Sequence, residues 1–120
     1  MRHSAVYETE ADKQEALDAV RSVLAMFGNL MTKTGDVING FPQKVPLESL
    51  SGNVRVDPDM LAENLMFGSP DEVIEKLRLY ENIGVDSFIY YASMGLGLEA
   101  QKKSLALFID KVMPAFQEKA

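Results

Sequence analysis

The fold is predicted from one segment, residues 68–92, which reads GSPDEVIEKLRLYENIGVDSFIYYA. Ser69 is a typical N-cap residue, Pro70 suits the first helical position, and Glu72 can complete a capping box. Apolar residues then recur at helical spacing as far as Gly84, which can end the helix in the left-handed conformation. The segment therefore predicts a helix over residues 70–83 that is followed by a tight turn.

The end of the same segment predicts a buried strand over residues 86–92. Phe88, Ile89 and Tyr90 are large apolar residues at successive positions, so both faces of the strand are apolar. This pattern is typical of an interior parallel strand that is covered on each side. We therefore expect a mostly helical α/β fold with a central buried parallel strand, whose edges need partner strands.

The composition is that of one ordinary globular domain. The chain has 120 residues, with 47% hydrophobic and 25% charged residues, so we treat residues 1–120 as a single segment. The formal charge of −6 and the pI near 4.7 argue against nucleic acid or an anionic membrane as a partner. No apolar run approaches the length of about 20 residues that crosses a bilayer, and a cytoplasmic location is expected.

The residue types exclude several kinds of site. The chain has no cysteine, which excludes disulfides, thiolate catalysis and zinc–sulfur sites, and no cluster of metal ligands is present. The one histidine, His3, lies near the start and is predicted to be a disordered terminal residue rather than a ligand or a base.

The rest of the chain predicts two further long helices and one irregular region. An apolar stripe with the 3.6-residue period predicts a long helix over residues 9–34, and methionines on it are interpreted as core filling. Residues 35–56 lose this period and carry turn dipeptides, which predicts a lid-like loop or, equally, a surface excursion that packs on its own domain. The last helix is predicted over residues 98–113, where Pro114 ends or bends it.

Residues 95–100 match the G-x-G-x-x-A pattern of a dinucleotide-binding turn. That fingerprint also needs a second parallel strand and an acidic residue about 20 positions further on, and the sequence offers neither. Glycines that permit a tight turn between a strand and a helix are the better interpretation.

Taken together, several motifs resemble the C-terminal end of the bacterial luciferase-like, flavin-dependent monooxygenases and oxidoreductases. The resemblance lies in a G-[TS]-P-E-E helix start, a G-[VI]-D strand and a final V-M-P. The matching residues are Gly68, Ser69, Pro70, Glu72, Gly84, Val85, Asp86, Val112, Met113 and Pro114.

The resemblance implies that the chain is the last third of a (β/α)8 TIM barrel with a flavin at the C-terminal face of its strands. It implies FMN, or the deazaflavin F420, a small-molecule substrate and a homo-oligomer. Tyr91, Ser93 and Met94 would then contact the cofactor and Phe41 would move with the lid, whereas two tyrosines in a strand are more commonly core residues. Catalytic residues are not assigned, because the family's flavin ligands come largely from earlier strands.

Two functions follow as alternatives. In the first, the chain is the C-terminal part of a flavin-dependent enzyme and acts only when the missing barrel strands are supplied. The alternative is a non-enzymatic truncated domain that folds by self-association or by pairing with another barrel subunit.

Overall fold

The computed structural model describes residues 3–32, 35–92 and 95–117. The fold is α/β, with helices around a small parallel sheet. Its helices and strands are β1 His3–Val6, α1 Glu10–Thr32, β2 Val37–Ile38, β3 Phe41–Pro42, α2 Pro58–Asn64, β4 Met66–Gly68, α3 Pro70–Asn82, β5 Tyr91–Ala92 and α4 Leu98–Leu107. None of the helices in these ranges is long and apolar enough to cross a bilayer.

The main sheet has three parallel strands in the order β4–β1–β5. Strand β1 is central, and its residues Ser4, Ala5 and Val6 are buried. Strand β4 pairs with it through Ser4 opposite Met66 and Val6 opposite Gly68. The predicted α/β class with a parallel sheet is confirmed.

The predicted central position of the strand over residues 86–92 is wrong. Only Tyr91–Ala92 pairs, and it does so at one edge of the described sheet. Ile89 is 67% exposed, and the extended segment, residues 85–90, joins no ladder among the described residues. The central strand is instead β1, which includes His3, so the predicted disorder of His3 is also wrong.

The strand order differs from that of consecutive strands in a (β/α)8 barrel. In such a barrel each strand neighbours the next one along the chain, which would place β5 beside β4. Here β5 lies on the far side of β1. The sheet therefore does not by itself reproduce a sector of a barrel.

Helices cover both faces of the sheet and form two main cores. Alternate β1 residues point to opposite faces, so Ala5 and Tyr7 pack with α1 and α2, whereas Val6 packs with α3 and the end of the chain. The first core consists of Ala5, Tyr7, Ala16, Leu17, Val20, Leu61 and Phe67. The second consists of Val6, Met66, Val73, Leu77, Phe108 and Val112.

Local signals set the helix starts as expected. In α3 the Glu72 N–H donates to Ser69 Oγ at 3.4 Å, and the Ser69 N–H donates to Glu72 Oε2 at 2.7 Å, so the capping box is formed. The helix ends at Asn82, one residue before the predicted bound, and Gly84 has φ 89°. At α1 the Asp12 N–H donates to Thr9 Oγ1 at 3.1 Å; the predicted end of this helix at 34 lies outside the described residues.

The last helix changes pitch before the predicted end at residue 113. Regular α-helix stops at Leu107, a π-helical turn covers Phe108–Val112, and a 3-10 turn covers Met113–Phe116. Pro114 has no N–H to donate to the carbonyl four residues earlier, so the regular hydrogen-bond ladder cannot continue through it.

Candidate functional site

Tyr91, the predicted cofactor contact in the described chain, lies at the start of β5 and is half-buried. It stands opposite His3 in the ladder, and the two rings meet edge to face with their centroids 5.0 Å apart. Ser93 and Met94 lie outside the described residues. Tyr91 is therefore held against the central strand, just before the strand end at which the sequence predicts a ligand.

His3 was missed as part of this region. Burial lowers the pKa of its imidazole, so the ring is neutral at pH 7. Its Nδ1 is buried and has no hydrogen-bond partner within the part of the chain that the structure describes. The available sequence signal was the alternation of β1, which places His3 on the same face as Ala5 and Tyr7.

A second polar contact joins the end of the extended segment to α4. The Tyr90 hydroxyl lies 2.5 Å from Ser104 Oγ, and the Val6 N–H donates to the same Oγ at 2.8 Å. Burial raises the pKa of Tyr90, and its hydrogen bond to Ser104 partly offsets that effect. Ser104 thus gives the Val6 N–H a side-chain acceptor at the C-terminal end of β1.

Sequence reasoning also missed Ser104. The signal was present, because Ser104 follows Ala100 by four positions and precedes Phe108 by four, on the apolar stripe of the helix. A hydroxyl on a buried stripe needs a partner. That requirement predicts a contact, but it does not identify Val6 and Tyr90 as the partners.

The outer edge of β4 is closed by Lys76 of α3. Its ammonium donates to the carbonyl oxygens of Ala62 at 2.6 Å, Leu65 at 3.0 Å and Phe67 at 2.8 Å. Gly68 O accepts from the Tyr7 N–H on the β1 side, so the carbonyls of Leu65 and Phe67 point the other way. A further strand beside β4 would need these acceptors, and Lys76 already occupies them.

An acidic groove of about 720 Å³ lies where β1 and β4 end. Tyr7 forms part of its wall, and burial, followed by the charges of Glu72 and Glu10, raises the pKa of Tyr7 to about 12. This hydroxyl therefore stays protonated and does not serve as a base at neutral pH. The carboxylates of the groove belong to Glu8, Glu10, Glu63, Glu72 and Glu75, against the ammonium groups of Lys13 and Lys76.

An apolar groove of about 650 Å³ lies between the extended segment and the end of the chain. Arg78 holds the outer wall, because its guanidinium donates to Ala115 O at 2.5 Å and lies 4.4 Å from the centre of the Phe116 ring. The other wall is the surface segment 85–89. Apolar residues that line the groove include Val85, Phe88, Ile89, Phe108, Met113 and Phe116.

Residues 35–56, the predicted lid, are fastened to α1 at both ends. Buried Asn29 donates from Nδ2 to Asp36 O at 2.9 Å and accepts from the Gly35 N–H at 2.5 Å. Near the other end, Arg21 Nε donates to Val56 O at 2.9 Å. Leu50 and Val56 pack with Ala25 of α1, so this part of the segment behaves as the surface excursion that the sequence also allowed.

Phe41 belongs to the part of this segment that protrudes. It pairs with Ile38 in the antiparallel hairpin β2–β3, whose turn has Asn39 at φ 50° and Gly40 at φ 82°. The Phe41 side chain is 73% exposed. Phe41 and Tyr91 line neither the acidic nor the apolar groove.

The described residues do not fit a flavin without further chain. The acidic groove lies at the strand ends, but its excess of carboxylates repels the phosphate groups that FMN and F420 carry. Across the three described ranges, no group of three or more His, Asp or Glu side chains could hold a metal ion.

The class of protein that the chain resembles is the flavin-dependent monooxygenases. This chain is 29% identical over 118 residues to the oxygenase component of the flavin-dependent trigonelline monooxygenase of Acinetobacter baylyi (strain ATCC 33305 / BD413 / ADP1). The match covers 98% of this chain and 33% of that protein, so the chain spans about a third of the curated relative. The predicted resemblance is confirmed by this match, whereas no family model and no solved structure matches the chain.

Proposed function

We propose that the chain is the C-terminal part of a luciferase-like, flavin-dependent monooxygenase and acts on a small molecule once the remaining barrel strands are supplied. The observation that carries the proposal is the match of 98% of this chain to a third of a monooxygenase component. The α/β fold and the parallel strands are consistent with this origin. Completion of the barrel would move β5 next to β4, its neighbour along the chain. Lys76 would then have to release the outward carbonyls of Leu65 and Phe67.

In the completed protein, Tyr91, Ser93 and Met94 would contact FMN, or F420, at the C-terminal end of β5. Ligands of (β/α)8 barrels bind at this end of the strands. The hairpin that carries Phe41 would cover the bound substrate. Cationic groups for the cofactor phosphate would come from the added chain, since the acidic groove does not offer them.

Association without catalysis is the second candidate. It is favoured by the exposure of large apolar side chains, among them Ile89, Phe41 and Met31. Val85, Phe88 and Ile89 lie together along one wall of the apolar groove, and contiguous exposed apolar surface marks interaction sites. Under this proposal the chain forms a cytoplasmic homo-oligomer and binds no flavin.

A chimera separates the two functions. This chain replaces the matched third of the Acinetobacter protein, and oxidised and reduced FMN and F420 are titrated into the chimera and into the free chain. We expect the chimera to bind one of these flavins and the free chain to bind none. A native-mass measurement that finds only oligomers of the free chain, together with a folded chimera that binds no flavin, would favour the second candidate instead.

Two substitutions in the chimera test the site. Tyr91→Ala and Ser93→Ala should each weaken flavin binding by about tenfold, a loss of about 1.4 kcal/mol. Ser49→Ala is the matched control, because Ser49 Oγ donates to Pro46 O on the surface, in a different part of the chain. Flavin affinity that is the same in all three variants would remove Tyr91 and Ser93 from the site.

A further inference from the structure

The turn of the protruding hairpin β2–β3 consists of Asn39 and Gly40. Asn39 is the one asparagine of the chain that precedes a glycine, since Asn29, Asn53, Asn64 and Asn82 each precede leucine, valine or isoleucine. Both turn residues are exposed, and a Cβ added at Gly40 would meet no heavy atom within 4 Å. The backbone that follows the Asn39 side chain is therefore open to approach.

The Asn39 side chain is also unrestrained. No hydrogen bond joins it to another residue in the described ranges. The other asparagines of the loops and helix ends differ, because Asn29 is buried and holds Asp36 O at 2.9 Å, while Asn53 and Asn64 each bind a backbone group of a neighbouring residue. The Asn39 amide can thus rotate freely about its own side-chain bonds.

The hairpin that carries this turn is short. Its ladder has two residue pairs, Val37 with Pro42 and Ile38 with Phe41, and two-stranded hairpins are only marginally stable in water. Loop motions take nanoseconds to microseconds, which is far faster than the chemistry of an amide. Opening of the hairpin therefore lets the backbone rotate at Asn39 and brings Gly40 N to the side-chain carbon Cγ.

We infer that Asn39 is a site of spontaneous deamidation at which Gly40 N is the internal nucleophile. The nitrogen attacks Asn39 Cγ, a C–N bond closes a succinimide ring, and the bond from Cγ to Nδ2 breaks with release of ammonia, which takes up the Gly40 amide proton. Water then opens the ring at either carbonyl carbon and leaves aspartate or isoaspartate. One water is consumed, one ammonia leaves, and no group is oxidised or reduced. Asparagine is thermolabile, and glycine has no side chain to hinder the attack.

The isoaspartate product would alter the hairpin. Its main chain runs through Cβ and is one carbon longer, whereas a two-residue turn with φ 50° and 82° joins paired strands at its present length. The register of Ile38 opposite Phe41 would be lost. Either product also adds one negative charge to a chain whose formal charge is −6. Slow conversion of Asn39 would thus release Phe41 from its partner, whether or not the chain binds a flavin.

The test ages the purified chain at mildly alkaline pH, digests it with trypsin and follows the peptides by chromatography and mass spectrometry. We expect the peptide of residues 34–44, whose one asparagine is Asn39, to gain about 1 Da and to separate into two products. Asn82 is the internal control, because it is also exposed but precedes Ile83, and it should convert at least about tenfold more slowly. The folded chain should convert at Asn39 within about tenfold of the rate in urea.

Gly40→Ala is the deciding variant. Alanine disfavours the φ of 82° at this position and loosens the hairpin, which by itself would speed the reaction. Its methyl group hinders the attack, however, and we expect conversion at Asn39 to be about tenfold slower. Ser49→Ala, a surface change outside the hairpin, should leave the rate unaltered.

Four results would overturn the inference. The first is a peptide 34–44 that stays unchanged in the folded chain but converts in urea, since the closed hairpin would then protect Asn39. The second is an equal rate at Asn39 and Asn82, and the third is undiminished conversion in Gly40→Ala. The fourth is aspartate as the sole product, because opening of a succinimide gives both products.

Discussion

Replacement of Lys76 by methionine removes the ammonium and keeps an unbranched side chain that is one heavy atom shorter. The lost contacts include three hydrogen bonds, to Ala62 O, Leu65 O and Phe67 O, at 2.6 to 3.0 Å. A hydrogen bond to a charged group contributes about 1.5–3 kcal/mol. Because Lys76 is only half-buried, water can reach some of the released carbonyls, and we expect the total loss to be about 2–3 kcal/mol rather than the sum.

The assay is urea unfolding followed by circular dichroism. For a small domain the free energy of unfolding falls by about 1–3 kcal/mol per molar urea, so the midpoint of Lys76→Met should fall by about 1 M. The open carbonyls of β4 should also make the variant associate at high protein concentration, because an uncovered strand edge is a template for pairing. Sedimentation velocity at two concentrations measures this second effect.

Lys103→Met is the control for Lys76→Met. It removes the same charge and adds the same side chain, but Lys103 pairs with Asp12 on the surface, at 2.7 Å. The urea midpoint of Lys103→Met should stay close to that of the unaltered chain, since exposed ion pairs contribute little to stability. Equal shifts for the two variants, or a shift below about 0.5 kcal/mol for Lys76→Met, would refute the assignment of Lys76 as the closure of the β4 edge.

Three further predictions concern single positions. Gly95→Ala should cost about 2 kcal/mol or more, because Gly95 has φ 85° and an added Cβ would lie 2.8 Å from Val23; chemical denaturation measures the loss. Asn29→Ala should cost about 2–3 kcal/mol by leaving the Gly35 N–H unpartnered, and should speed proteolysis within residues 35–56. Hydrogen bonds from Ser69 lower the pKa of Glu72 below its usual 4.5, so its stabilising effect is present above that value and disappears as the pH falls through the lowered pKa. In Glu72→Gln, the free energy of unfolding should therefore fall less steeply as the pH is lowered into the acid range.

Each of these has a control. Gly97→Ala should cost clearly less, because φ is −59° there and an added Cβ meets no heavy atom within 4 Å, so that the loss is limited to the preference of the N-cap for glycine over alanine; equal losses at Gly95 and Gly97 would contradict the tight-turn explanation. Gln14→Ala removes an exposed contact on the same helix as Asn29 and should not affect proteolysis. A decrease in the acid range that is unchanged in Glu72→Gln would mean that other carboxylates determine it.

The sequence predicts those parts of the fold that depend on neighbours along the chain. The capping box at Ser69 and Glu72, the left-handed Gly84 and the amphipathic helices involve residues within a turn or two of each other, and the structure confirms them. The position of the strand over 86–92 was wrong, because an apolar run does not specify its neighbours. The neighbours of a strand depend on contacts that are distant in sequence. One example is the bond from Lys76 to the carbonyl of Ala62, 14 residues away.

In the candidate site, too, the sequence predicts the features that are local in sequence and not the contacts between distant residues. Tyr91 was selected from its position at the end of an apolar run, which a local pattern can supply. Its contact with His3 brings together residues 88 positions apart, and the bond from Val6 to Ser104 spans 98. No periodicity encodes such pairs, since they depend on which edge of β1 receives β5.

If the proposed function holds, the two fastenings of residues 35–56 limit how a completed enzyme would admit its substrate. With Asn29 bound at one end and Arg21 at the other, swinging of the whole segment would require both contacts to break. Bending of the short hairpin at Val37–Ile38 and Phe41–Pro42 requires neither. Entry would then follow the nanosecond-to-microsecond motion of a loop rather than the slower opening of a hinged domain, and would depend little on the stability of the segment's base.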